Sequence, residues 1–312
     1  MNLRIGSRGS QLALWQANHI AALLRGEGHS VKIKIIKTTG DRLHEVTFAQ
    51  VGAKGMFTKE IEEALAAGSV DLAVHSLKDL PTELPEPFTL AATPERVDPR
   101  DVFVSVNFES LAALPQGACV GTSSQRRRAQ LKAVRPDISV QECRGNVDTR
   151  LRKLAEGQVD AILLAAAGLD RLEKTEWVRQ RLEPQVFCPA AGQGALGIET
   201  RKNDAVTITA VAFLDDRDTR FAVTVERAAL AALGGGCQVP IGIHCRAALR
   251  EGAELWDEIF AVVAAPETGK TVRVHHRVPH AGAEPASLGR QVAQKLIDAG
   301  AGPLLAAAGG LR

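Results

Sequence analysis

The sequence is poor in aromatic side chains and has no long apolar run. Aromatic residues make up 4% of its 312 residues, and tyrosine is absent. Proteins that bind single-stranded nucleic acid stack bases on aromatic rings, so this scarcity argues against a nucleic-acid partner. No stretch reaches the roughly 20 apolar residues of a membrane helix, and MNLRIGSRGSQLALWQ lacks the apolar segment of a secretion signal. We therefore expect a cytoplasmic protein without a membrane partner.

Charge and cysteine content exclude two further classes. The net charge of +2 gives no general attraction to polyanions, so any affinity for anions must come from local clusters. An odd number of irregularly spaced cysteines argues against a disulfide framework and for a reducing compartment. The five cysteines are Cys119, Cys143, Cys188, Cys237 and Cys245.

Residues 1 to about 190 alternate short β-branched runs with amphipathic helical stretches, which is typical of an α/β fold. The charged stretch ERVDPRDV predicts a linker at residues 95–102 between two such sets. With the strand ALGIETR and the segment AVTITAVAFLDD after it, we expect the chain to return to the first domain, so that two crossing segments form a hinge. From residue 219, a long helix, a GGGC turn, three strands and a closing helix predict a small α+β domain with an antiparallel sheet.

Arginines follow successive strands of the second α/β set. In GTSSQRRRAQ a strand ends and a helix begins, and backbone N–H groups at such a junction attract anions. Further basic or polar groups near strand ends are Arg144, Arg150 and Arg171, with Arg8 and Ser10 in the first domain. Guanidiniums bind carboxylate or phosphate through paired hydrogen bonds, so the pattern indicates a small polyanionic ligand. For GTSSQRRRAQ alone, a capped helix with a solvated basic face is the alternative.

The turn VHSLKDLP places Ser76, Lys78 and Asp79 at the end of a buried strand. A carboxylate there could orient N–H donors and stabilise a cation forming on a substrate. An aspartate that merely caps the next turn explains the same spacing equally well.

Cys237 lies in the glycine-rich turn GGGCQVP. With His244 and Cys245 it shows none of the usual metal-ligand spacings, and no local histidine signature marks an acyl-transfer nucleophile, so we expect no metal. Glycines permit unusual φ angles and the close approach of a bulky partner to the backbone. A buried structural cysteine is the alternative.

Taken together, successive blocks of the chain resemble the porphobilinogen deaminase (hydroxymethylbilane synthase) family from about residue 3 to 245. The blocks are, in order, GSRGSQLALWQA, VGAKGMFTKEIEEAL, DLAVHSLKDLP, DPRDVFVS, GTSSQRRRAQL, RGNVDTRL, DAILLAAAGLDRL, PAAGQGALGIE and ERAALAALGGGCQVPIG. The resemblance implies a monomeric transferase of tetrapyrrole (porphyrin and heme) biosynthesis. Such an enzyme condenses four porphobilinogen molecules head to tail, releasing ammonia each time, to 1-hydroxymethylbilane.

The resemblance also implies a fold. Two α/β domains like those of periplasmic binding proteins are joined by a hinge, and a small C-terminal α+β domain, a three-stranded antiparallel sheet with helices, carries the cysteine. On this chain the domains would be residues 1–95 with 195–214, residues 100–190, and residues 217–312.

The resemblance assigns roles to individual residues. Cys237 would carry a dipyrromethane cofactor through a thioether, and Asp79 would be catalytic, binding pyrrole N–H groups and stabilising the azafulvene cation formed as ammonia leaves. The other cofactor-binding residues would be Ser76, Lys78, Thr122, Ser124, Arg126, Arg127, Arg144 and Gly145. Porphobilinogen would be bound by Arg8, Ser10, Lys54, Phe57, Arg144, Arg150, Arg171 and Gln193. Lys54 would lie in a flexible loop, and Arg128 has no implied role.

One alternative belongs to another class of protein. A non-catalytic module for small dianions would also use converging arginines on a hinged α/β scaffold. It would have no use for a cysteine in a glycine turn.

Overall fold

The computed structural model describes residues 1–39, 58–235 and 239–308. Lys54, Phe57 and Cys237 lie outside these ranges. The chain forms two compact units, Met1–Val97 with Ala195–Arg220, and Asp98–Gly194 with Phe221–Arg312. The division into three domains at the boundaries given above stays a prediction.

The secondary structure elements are as follows. The strands are β1 (Asn2–Ser7), β2 (Ser30–Ile35), β3 (Leu72–Ser76), β4 (Phe88–Ala92), β5 (Asp101–Val104), β6 (Cys119–Gly121), β7 (Ser139–Gln141), β8 (Ala161–Ala165), β9 (Val178–Leu182), β10 (Leu196–Arg201), β11 (Ile241–Glu251), β12 (Glu254–Ala264) and β13 (Thr271–Pro279). The helices are α1 (Gln11–Gly26), α2 (Lys59–Ala66), α3 (Gln125–Val134), α4 (Val147–Ala155), α5 (Ala166–Arg171), α6 (Ala205–Val211), α7 (Arg217–Ala232), α8 (Pro285–Leu296) and α9 (Gly302–Ala307). A 3₁₀ turn, Leu77–Asp79, follows β3 directly.

The first unit contains a five-stranded sheet in the order β2-β1-β3-β10-β4, and the second a five-stranded sheet in the order β7-β6-β8-β5-β9. In both sheets the first three strands in this order are parallel to one another. The fourth strand of each sheet is antiparallel to both of its neighbours, the third and the fifth. The two sheets therefore share one topology. Because parallel strands end at the same edge, the residues that follow them are brought close together. The α/β class predicted from the sequence is confirmed.

The central strand of each five-stranded sheet, β3 in the first and β8 in the second, consists almost entirely of buried residues. The residues of β3 (LAVHS) and β8 (AILLA) are buried except at the last position of each strand, as expected of parallel strands covered on both faces. Helix α1 packs on the first sheet through Ala17, Ile20, Ala21 and Leu24, which recur at helical spacing.

The C-terminal segment forms the predicted antiparallel sheet, β11-β12-β13, packed against α7 and α8. At Gly289 in α8, an added Cβ would lie 2.3 Å from the carbonyl oxygen of Val225, so only glycine allows this approach to α7. Within the second unit, Cys188 and Ala129 pack against Phe260 and Val262 of β12. This contact joins the C-terminal sheet to α3 of the α/β sheet.

The predicted linker at residues 95–102 is wrong at its C-terminal end. Asp101 and Val102 are the first residues of β5, and both have no solvent exposure. The charges of ERVDPRDV suggested a solvated segment, but the carboxylate of Asp101 is neutralised by arginines within the second unit, as described below.

No helix within residues 1–39, 58–235 and 239–308 is long and apolar enough to cross a bilayer.

Candidate active site

In the first unit, four residues implied by the family resemblance line one small cavity of about 80 Å³: Arg8, Ser10, Ser76 and Asp79. Arg8 follows β1, and Ser10 caps α1 by accepting a hydrogen bond from the Ala13 backbone N–H at 3.3 Å. Ser76 ends β3, the neighbour of β1 in the sheet. The parallel arrangement of these strands thus brings together residues that are almost 70 positions apart in the sequence.

Asp79 occupies the third position of the 3₁₀ turn after β3, and it is solvent-exposed. The turn itself is anchored, because Leu77 is fully buried and its N–H donates to the carbonyl of Ala195 at 3.0 Å. Lys78, between them, is half-buried. The anchored turn therefore presents an exposed carboxylate to the cavity.

Two buried side chains that the sequence analysis did not select support this cavity. Gln16 of α1 donates from its Nε2 to the Ser76 hydroxyl at 2.8 Å. His75, which also lines the cavity, pairs through Nε2 with the fully buried Glu199 of β10 at 3.0 Å. The amphipathic spacing of α1 points Gln16 towards the sheet, but nothing in the sequence distinguishes it from a core position.

In the second unit, the loop after β6 leads into α3. Ser124 is the N-cap of α3 and accepts from the Arg127 N–H at 3.4 Å, while its own N–H donates to the Thr122 hydroxyl at 3.2 Å. Thr122 is 4% exposed and its N–H donates to Gln141. The predicted helix start is confirmed, with its hydroxyl residues satisfying local backbone groups.

Arg126 and Arg127 are buried and share the carboxylate of Asp101. Arg126 donates to both carboxylate oxygens, at 2.6 and 3.2 Å, and to the carbonyl of Cys188 at 2.6 Å. Arg127 donates to Asp101 Oδ1 from Nε and Nη2, at 2.9 and 2.8 Å, and to the carbonyl of Leu163. Gln193 completes the cluster by donating to Asp101 Oδ1 at 3.0 Å.

The charges of this cluster do not cancel. Burial favours a raised pKa for the Asp101 carboxyl, but the two guanidiniums outweigh it and hold that pKa well below its usual range. Burial lowers the pKa of Arg127, and repulsion by Arg126 adds to this, opposed by attraction to Asp101. Two cations sharing one anion leave excess positive charge at the start of α3, where an anion is also favoured by the helix dipole.

Arg150 and Arg144 follow the next strand, β7. Arg150 donates to the carbonyl of Gly145 at 2.8 Å, and its pKa is lowered by burial and then by the charge of Arg127. Arg144 pairs with Glu142 at 2.6 Å and is partly exposed. Gly145 has φ of +117°, and an added Cβ would lie 2.7 Å from Thr149, so this position requires glycine.

Arg171 ends α5, the short helix after β8. It is 6% exposed and donates to the carbonyl of Gly194 at 2.8 Å. Burial lowers its pKa to about 10.

Of the predicted glycine turn, Gly234 and Gly235 are described. Gly234 has φ of +65° just after α7, as expected of a residue that ends a helix. At Gly235 an added Cβ would lie 2.5 Å from Leu230 and 2.8 Å from Ile241. Backbone conformation thus favours glycine at position 234 and close packing favours it at position 235, independently of any space left for a ligand.

Asp101 and Glu226 are buried carboxylates that hold neighbouring segments of the second unit, and neither was expected from the sequence. Asp101 lies in DPRDVFVS, whose charges were interpreted as a linker. Glu226 of α7 is fully buried and accepts from the N–H groups of Gly192 and Cys245 at 2.7 and 2.8 Å. A carboxylate placed in the middle of the apolar run TRFAVTVERAALAAL is the signal that could have drawn attention to it.

These features define a class: an α/β protein with two sheets of the same topology, in which buried guanidiniums follow the parallel strands of the second sheet and suit a small ligand that carries carboxylates. Residues 3–209 match the family model described as porphobilinogen deaminase, dipyromethane cofactor binding domain, and residues 220–298 match its C-terminal domain. The chain belongs to the porphobilinogen deaminase family.

Two relatives show how far this similarity extends. A porphobilinogen deaminase of Nitratidesulfovibrio vulgaris (strain DSM 19637 / Miyazaki F) is 50% identical over 97% of this chain and 96% of its own length. That of Roseiflexus castenholzii is 49% identical over 98% of this chain and 99% of its own.

Solved structures of lower similarity include the methionine-binding protein MetQ, with a TM-score of 0.45 and 11% identity over 72% of this chain and 94% of the other. A periplasmic substrate-binding protein of an ABC transporter from Coxiella burnetii has a TM-score of 0.43 and 15% identity, covering 68% and 91% of the two chains.

Proposed function

We propose that this chain is a hydroxymethylbilane synthase: a transferase that condenses four porphobilinogen molecules head to tail, with loss of ammonia at each step, to 1-hydroxymethylbilane in tetrapyrrole biosynthesis. Besides membership of the family, one observation carries the proposal. Arg126 and Arg127 share a single carboxylate at the start of α3, and this leaves positive charge for an anionic ligand. Each pyrrole of the substrate brings two carboxylates.

The described residues fit a dipyrromethane cofactor. Its carboxylates suit guanidiniums and the positive end of a helix. Arg126, Arg127 and Arg150, with the start of α3 after Ser124, provide both at neighbouring strand ends. When bound, the dipyrromethane supplies the free pyrrole carbon to which the first substrate is joined. We propose that Cys237, directly after the glycine turn, holds it through a thioether.

Asp79 is the proposed catalytic residue. Its exposed carboxylate, on a turn anchored by Leu77, can accept hydrogen bonds from pyrrole N–H groups. A fixed negative charge there stabilises the cation that forms on the substrate as ammonia leaves.

The remaining assignments follow from charge and position. Arg8, Ser10 and Lys78 in the first unit, and Arg144, Arg171 and Gln193 in the second, are proposed to bind the acetate and propionate groups of the substrate and growing chain. Ser76, Thr122 and Gly145 are proposed to contribute to cofactor binding. Lys54 and Phe57 are proposed to contribute from the segment before α2. We further propose a cytoplasmic monomer that does not bind nucleic acid.

Intact-mass spectrometry of the purified chain tests the proposal. The wild-type protein should carry the added mass of a dipyrrole, and Cys237→Ala should show only the polypeptide mass and form no tetrapyrrole. Cys119→Ala, which removes a partly exposed thiol, is the control and should retain the added mass. A bare wild-type mass that stays bare after incubation with porphobilinogen would instead support the non-catalytic binding module.

A further inference from the structure

Asp101 lies at the centre of the cluster formed with Arg126, Arg127 and Gln193. Its carboxylate has no solvent exposure and accepts five N–H groups at 2.6 to 3.2 Å. Oδ1 accepts from all three partners, whereas Oδ2 accepts from Arg126. The residue stands at the start of β5, which lies between β8 and β9 in the second sheet.

The hydrogen bonds to Asp101 leave part of each guanidinium unused. A guanidinium has five N–H donors. Among the described residues, Arg126 donates two hydrogen bonds to Asp101 and one to the Cys188 carbonyl. Arg127 donates two to Asp101 and one to the Leu163 carbonyl. About two donors on each side chain therefore remain for an external acceptor, which is the number a carboxylate binds in a paired arrangement.

The two guanidiniums would not keep these orientations without the shared anion. They are buried cations that repel one another, and the Asp101 carboxylate fixes which N–H groups of each guanidinium face it. Gln193 in turn fixes the carboxylate, since its amide donates both to Asp101 and to the carbonyl of Pro99 at 2.7 Å.

We propose that Asp101 is a positioning residue for ligand carboxylates: it holds Arg126 and Arg127 so that their remaining N–H donors meet the carboxylates of the bound pyrrole chain. This inference rests on the function proposed above and adds a residue that touches neither substrate nor cofactor.

Asp98 provides a matched control. It lies in the same unit and also binds two arginines, Arg100 and Arg181, at 2.9 and 2.7 Å. Those arginines have no role in the proposed site. Asp98→Asn therefore removes a carboxylate shared by two arginines of the same unit, while Arg100 and Arg181 keep their second partners, Glu183 and Asp170.

The test compares Asp101→Asn, Asp101→Glu, Asp98→Asn and the wild type. Cofactor loading is measured by intact mass, and kcat and KM for porphobilinogen are measured and normalised to the loaded fraction, with thermal unfolding as a measure of folding. For Asp101→Asn we expect a lower loaded fraction and a KM raised about tenfold, with kcat of the loaded enzyme changed less than about threefold. Asp101→Glu, which keeps the charge, should recover part of the KM. Asp98→Asn should match the wild type in loading and KM.

Several results would overturn the inference. A purely structural Asp101 would lower the thermal midpoint and the yield of folded protein but leave the KM of the loaded enzyme at the wild-type value. Failure of both Asp101 variants to fold, while Asp98→Asn folds, would likewise assign a structural role only. If the wild type itself carries no dipyrrole and forms no tetrapyrrole, the proposed function fails, which is distinguishable from failure of this inference alone.

Discussion

Two aspartates, Asp79 and Asp101, have the same side chain but different surroundings, and the surroundings suit them to different roles. Asp79 is exposed at the end of β3 and faces a cavity, so its charge is available to a substrate. Asp101 is fully buried at the start of β5 and its charge is used by two guanidiniums. The first is suited to act on a ligand, and the second to position the side chains that do so.

Asp79→Asn should reduce turnover about 100-fold or more while leaving fold and cofactor mass in place. The amide keeps the shape of the side chain but loses the negative charge that we propose stabilises the developing cation, and loss of one such group commonly costs about 10² to 10³ in kcat. Steady-state rates on mass-verified enzyme check this. The neighbouring exposed acid offers a control, Glu83→Gln, which should keep the wild-type rate. A rate for Asp79→Asn close to that of the control would remove the catalytic role.

Gly235→Ala should destabilise the second unit by about 1–3 kcal/mol, because the added methyl group overlaps Leu230 and Ile241. Gly26→Ala at the end of α1 is the matched control, since nothing lies within 4 Å of its added Cβ and alanine favours a helix. Thermal unfolding should show a lowered midpoint for Gly235→Ala alone. Equal midpoints for the two variants would mean that this turn is not closely packed.

At the scale of elements, helix α3 contributes to two structures within the second unit. Its first turn carries Arg126 and Arg127, and Ala129, one turn after Arg126 on the same face, packs against Cys188 and β12. The Cys188 thiol donates to the Phe260 carbonyl at 3.3 Å. Packing of the C-terminal sheet and orientation of the guanidiniums therefore depend on the same helix.

The Cys188 thiol should make this packing sensitive to alkaline pH. Burial raises its pKa to about 12, above the roughly 8.5 of an unfolded thiol. Because the folded pKa is the higher one, the stability contributed by the neutral thiol is complete below pH 8.5 or so and is lost as the pH rises towards 12. Between pH 8 and pH 10 the loss is about 2 kcal/mol.

Urea unfolding of Cys188→Ala across that range checks the effect. The variant should be less stable than the wild type at pH 7 but should lose less stability on going to pH 10. Cys119→Ala, which retains Cys188, should follow the wild-type curve. Parallel curves for all three proteins would exclude Cys188 as the source of alkaline sensitivity.

Periodicity predicted the elements with clear patterns. The buried strand that ends at Ser76 (β3), the start of α3 in GTSSQRRRAQ and the three C-terminal strands were all expected. Strand β5 was missed at its start because Asp101 is charged, and a single sequence does not reveal which distant arginines will neutralise a carboxylate. The pairing of Asp101 with Arg126 spans 25 positions and depends on β5 lying beside β8.

At the scale of the whole molecule, the two compact units have separate hydrophobic cores. Leu24 belongs to the core of the first unit and Leu296 to that of the C-terminal sheet in the second, and both are fully buried. Chains with more than one core commonly unfold in more than one transition.

Leu24→Ala and Leu296→Ala should therefore shift different calorimetric transitions. Each substitution removes a buried isobutyl group and should cost about 2–5 kcal/mol. Differential scanning calorimetry is expected to show a lower midpoint for one transition in each variant, and not the same one. A single transition shifted equally by both would show that the units unfold as one.

The sequence was sufficient for the α/β class, the helix start in GTSSQRRRAQ, and the family, because these depend on local periodicity, capping and long motif blocks. It also located arginines after strands, which is where parallel sheets collect ligand-binding groups. The environment of each charge depended on the tertiary structure. Burial and long-range pairing place Asp101 among guanidiniums, leave Asp79 exposed, and give Gly235 a packing role. Solvation and charge balance are properties of neighbours in space, and those neighbours are distant in the chain.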